Sequence, residues 1–131
     1  MTDVLVGIHP WLGYLVSLVM LVTAYMAFGR AKDAREFMPG PFVGAMVLLD
    51  IQVLLGLVIY ALGAAWESRA EIAFVHPVLA ILALAVGHAA LKRARAERMA
   101  VDAHRTAGRG LIGALVLVLL SIAVASVPPF L

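Results

Sequence analysis

The stretch EIAFVHPVLAILALAVGHAALKR, Glu71 to Arg93, decides how the chain is read. Between its charged ends, Ile72 to Leu91 supplies the roughly 20 apolar residues that a bilayer-spanning helix needs. It carries the pair His76-Pro77 near one end and His88 near the other. A histidine inside such a segment is costly, and its presence points to a job. The same phrase opens the chain: Ile8-His9-Pro10-Trp11-Leu12 is echoed by Val75-His76-Pro77-Val78-Leu79, each leading into a long apolar run.

Composition places the rest in the same class. At 131 residues the length suits one domain. Apolar residues make up 64% and charged ones 14%, against about 45–50% and 25% in soluble domains. With no cysteine there is no disulfide framework, thiolate metal site or covalent c-type haem motif. A net charge of +2 calls for no nucleic-acid partner, because the basic residues have a better explanation in topology. Asp3 stands where a signal peptide would be basic, and the first apolar run is full length, so it is expected to remain as a span.

Four spans are expected, at about 4–28, 42–65, 72–91 and 110–127. The segment Gly29–Pro41 holds Arg30, Lys32 and Arg35, and Lys92–Arg109 holds six basic residues, whereas Trp66–Glu71 has one arginine and two glutamates. By the positive-inside rule both basic segments face the cytoplasm and both termini lie outside. Short loops and strict alternation predict an all-α, up-down-up-down antiparallel four-helix bundle, a multi-pass protein of a bacterial inner membrane. Trp11 and Trp66 fall where an outer aromatic belt belongs. Pro10 and Pro77 are expected in first turns, where a missing N–H costs little.

The topology sorts the histidines. His9 and His76 enter from the same face, and their depths agree to within about one helical turn. In this topology the first and third helices are diagonal, roughly 12–14 Å apart, which suits two imidazoles flanking one iron. A b-type haem ligated by His9 and His76 is therefore the expected cofactor. Gly13 and Ala80, each four residues further on, share the face of their histidine and leave room for a flat macrocycle. His88 and His104, toward the cytoplasmic side, are candidates for a second haem, and Arg69 is a candidate partner for a propionate. Each histidine also has a plainer reading, as a hydrogen-bonded structural residue or an interfacial cap. Asp50, close to mid-membrane, is either a neutral acid bonded across helices or part of a proton or quinone path. Gln52, two residues on, points elsewhere.

The pattern resembles the four-helix core of the di-haem transmembrane b-type cytochromes of the ascorbate-reducible kind, and is similar to one half of haem A synthase. The resemblance is carried by His9 in IHPWLGYLVSLVMLV, His76 in FVHPVLAILAL and His104 in AHRTAGRGLIG. It implies one haem held between the first and third helices. Segment two departs from it, since GAMVLLDIQVLLG offers no histidine for a second haem unless His88 substitutes. The expected function is electron transfer between quinol or another donor and an acceptor, alone or with partner redox subunits of a respiratory or photosynthetic complex. Two rival readings stay open. One is a haem-free accessory or assembly subunit with structural histidines. The other is an enzyme acting on haem or quinone, with Asp50 carrying protons.

Overall fold

A computed structural model describes residues 1–126. Four helices carry the fold: α1 (Thr2–Lys32), α2 (Gly40–Leu62), α3 (His76–Ala96) and α4 (Ala100–Ser126). A 3-10 turn at Ala65–Glu67 and a π-turn at Glu71–Val75 lie between α2 and α3. All four helices are long and apolar enough to cross a membrane, the third counted with its π-turn from Glu71 to Ala96. α1 packs on α2 and α4, and α3 packs on the same two, so α1 and α3 are diagonal in an antiparallel bundle. The α3–α4 seam is the most extensive and the α2–α3 seam the most open.

The core explains why these sequences close into a bundle. Val16, Met20, Met46, Leu49, Ala83, Leu111, Ala114 and Val118 interdigitate along its axis. Leu18, Leu21, Leu54, Val78, Ile81 and Leu119 are equally apolar but point outward. Helices apolar all round suit a hydrocarbon solvent better than water. Between them, small residues permit close approach. A Cβ on Gly110 would overlap that of Ala90, and one on Gly87 would sit 2.5 Å from the Met46 sulfur.

The helix ends depart from the hydropathy spans. α1 and α2 begin earlier than expected, and α2 stops at Leu62, where Gly63 caps it and Ala64 turns left-handed at φ 48°. Most of the expected loop Lys92–Arg109 is helical, with only Glu97–Met99 between α3 and α4. Alanine, arginine, lysine and glutamate are good helix formers, so helix continues past the point where hydropathy falls. Because α1 starts at Thr2, Pro10 lies inside the helix and not in its first turn. The expected end of the fourth span at Val127, and its stop at Pro128-Pro129, lie outside the described residues.

Candidate functional site

At one end of the bundle α1 and α3 present His9 and His76 to each other across the diagonal. Their ring centroids are 6.2 Å apart and their planes are inclined at 79°. Two metal–imidazole bonds of about 2.0–2.1 Å, plus roughly 1 Å from each nitrogen to its ring centre, span about 6 Å. The separation therefore matches two imidazoles sharing one metal between them.

Hydrogen bonds fix which nitrogen of His76 is available. Its Nδ1 lies 2.9 Å from the Ser121 carbonyl oxygen and 2.8 Å from Ser121 Oγ. A carbonyl only accepts, so Nδ1 carries the proton and donates, and Nε2 of the neutral ring keeps a free lone pair. Ser121 Oγ in turn donates to the His76 carbonyl at 3.0 Å. A ligating histidine is commonly oriented in this way, through the nitrogen that does not bind metal. On the opposite wall Gln52 Nε2 donates to the His9 carbonyl at 2.9 Å. Gln52 Oε1 and His9 Nδ1 are both buried without a partner among the described residues.

The histidines border a cavity of about 60 Å3, lined also by Leu49, Val53, Gly56, Ala80 and Val118. An adjoining lobe of about 260 Å3 leads past Tyr14, Ile59 and Ile72 toward the bundle end. Gly56 is needed here for space: a Cβ there would lie 3.0 Å from His9 Cε1. Gly13 and Ala80 both line the cavity as expected, and the Gln52 amide also approaches Gly13, 3.1 Å from a Cβ built there.

Helix chemistry fixes the backbone around His76. Pro77 has no N–H to offer the Ala73 carbonyl four residues back, and Tyr60 OH donates to that oxygen at 3.0 Å. The π-turn before it is closed by the His76 N–H reaching Glu71, five residues back.

The remaining candidates lie elsewhere. His88 Nε2 is 2.7 Å from Asp50 Oδ1, joining α3 to α2. His104 is fully buried, with its ring edge-on to Phe37 at 5.1 Å, and its Nε2 donates to the Glu36 carbonyl at 3.2 Å. His88 and His104 are thus bonded to separate partners. A Cβ on Gly108, four residues after His104, would meet the Phe28 ring at 3.0 Å, so no open slot adjoins His104 there. Arg69 belongs to the connection at the His9–His76 end, where its carbonyl accepts from Ile72 and Ala73.

Protein-family models, curated proteins and solved structures were each compared with the chain. None matches.

Sequence reasoning missed Ser121, Tyr60 and Gly56 as parts of this site. Ser121 carried a usable signal, being a lone hydroxyl within an apolar run of α4. Gln52 was visible as a polar interruption of α2, but its reach to the His9 backbone depends on tertiary packing.

Proposed function

We propose that the chain is a membrane-embedded haem b electron-transfer protein, seated in a bacterial inner membrane with its His9–His76 end outside. The observation that carries this reading is the facing imidazole pair, 6.2 Å apart on diagonal helices at an apolar cavity. His9 and His76 would hold the iron, which when bound supplies a one-electron Fe(III)/Fe(II) couple. Ser121 keeps the His76 tautomer and aim, and Gly56 leaves the His9 ring its place. Leu49, Val53 and Val118 exclude water. With His9 and His76 both given to the iron, electron transfer would be favoured over oxygen chemistry. The positive-inside rule places the basic ends of α1, α3 and α4 in the cytoplasm.

A reduced-minus-oxidised spectrum of the detergent-purified protein is expected to show b-type bands. His9→Ala and His76→Ala should each abolish them while leaving the helical circular dichroism in place. A colourless wild-type protein from haem-sufficient cells would sink the proposal.

A further inference from the structure

The Asp50–His88 pair takes no part in the site above. Asp50 stands on α2 beside Leu49 and two residues before Gln52, both of which line the His9–His76 cavity, yet its own side chain turns outward to α3. The pair is not buried: the His88 and Asp50 side chains are 51% and 43% exposed, in the most open seam of the bundle. The outside of this seam is apolar, with Val47 and Leu54 on the Asp50 face of α2 and Ile81 on the His88 face of α3, all exposed. In a bilayer this groove opens to lipid. Ionisable side chains at membrane depth normally face the bundle interior or a water-filled cavity, and they mark proton or substrate paths. Here a polar pair has been left accessible from the hydrocarbon side.

We infer that the Asp50–His88 pair in the α2–α3 groove binds a lipid-soluble hydroquinone and accepts its hydroxyl protons. The occupant must arrive dissolved in the membrane, because the groove faces lipid. One proton lies between His88 Nε2 and Asp50 Oδ1 at 2.7 Å. Asp50 Oδ2 and His88 Nδ1 are left for a ligand, acceptors in the ionised acid and the neutral ring. A ring with O–H groups meets two acceptors well, whereas an anionic lipid headgroup would meet the carboxylate as a like charge. Asp50 lies midway along α2 and His88 is four residues, about 6 Å along the axis, from Lys92, so a polar head reaches the pair from within the membrane while an apolar tail stays in the groove. Each quinol gives up two hydroxyl protons through the pair and two electrons, and becomes the quinone. The electron acceptor is ferric haem iron held by His9 and His76, two irons being reduced per quinol. This last step rests on the function proposed above; the binding does not.

The test uses the full chain in lipid nanodiscs with an azido-substituted short-tailed ubiquinone as probe. Illumination is expected to label peptides within residues 43–54 and 78–91. Excess decylubiquinol should suppress the labelling at lower concentration than decylubiquinone does. Asp50→Leu and His88→Leu should each reduce it at least fivefold, and the double variant, apolar on a lipid-facing surface, should keep wild-type helicity. Undiminished labelling in the double variant, or labelling confined to the walls of the His9–His76 cavity, overturns the inference. Haem content plays no part in this readout. A colourless protein that labels as expected therefore defeats only the cytochrome reading, and a coloured protein that does not label defeats only this one.

Discussion

At the scale of single residues, the two imidazoles are held by different means. His76 is set by a side-chain bond, because the Ser121 hydroxyl and carbonyl both receive its Nδ1 proton. His9 is set by shape, because its ring rests where Gly56 has no side chain. Removing a partner that orients a metal ligand typically costs about 10- to 100-fold in affinity. Ser121→Ala keeps the carbonyl acceptor, so the lower end is expected: haem transfer to apomyoglobin should accelerate about tenfold with the b-type spectrum retained. His104 behaves differently. Enclosed by Phe37 and Phe42, it pins the α1–α2 connection to the start of α4. His104→Ala should cost about 2–4 kcal/mol by leaving a hole in packed surroundings, read as a lower unfolding midpoint in denaturing detergent, with the visible bands unchanged. His9 and His76 were legible in the sequence because the motif repeats at matched depth. Ser121 and Gly56 were not, since their roles arise only when α4 and α2 are laid against the motif.

At the scale of elements, the seams of the bundle are unequal. Ala90 and Gly110 bring α3 and α4 so close that any side chain on Gly110 forces them apart. Gly110→Val should therefore destabilise by at least about 1–3 kcal/mol, the usual cost of overpacking, measured by the same unfolding assay. The α2–α3 connection depends on one phenol. Tyr60→Phe strips the Ala73 carbonyl of its donor at Pro77, and a loss of about 1 kcal/mol is expected. Hydropathy located four spans but not the helix ends, because it reports where a bilayer lies and not where a helix stops. The stretch from Lys92 to Arg109 shows the difference: charged, yet helical except at Glu97–Met99.

At the scale of the whole molecule, an even number of alternating helices puts the start of α1 and the end of α4 on one side. Reporter tags at the two ends should give matching accessibility in intact cells, outside, and opposite to a tag placed among residues 97–99. On the proposed function, the single facing imidazole pair among the described residues predicts one haem per polypeptide in a pyridine haemochrome assay. The fold class and the diagonal placement of the first and third helices were legible in advance, because alternation and short connections leave few ways to close a bundle. The outward-facing Asp50–His88 bond was not. Nothing in the linear order shows which seam is left loose.

The wide turn at Glu71–Val75 carries one last implication, for how the chain tolerates changes in its own length. A π-turn holds one residue more than an α-turn. Deleting a residue there should tighten the coil and swing only the outer connection, leaving the grip of His76 on α4 undisturbed. The same deletion between Val78 and Val86 would rotate the two halves of α3 by about 100° relative to each other, so that either His76 or Gly87 loses its neighbour. Shortening by one residue should thus be harmless before the proline and ruinous after it.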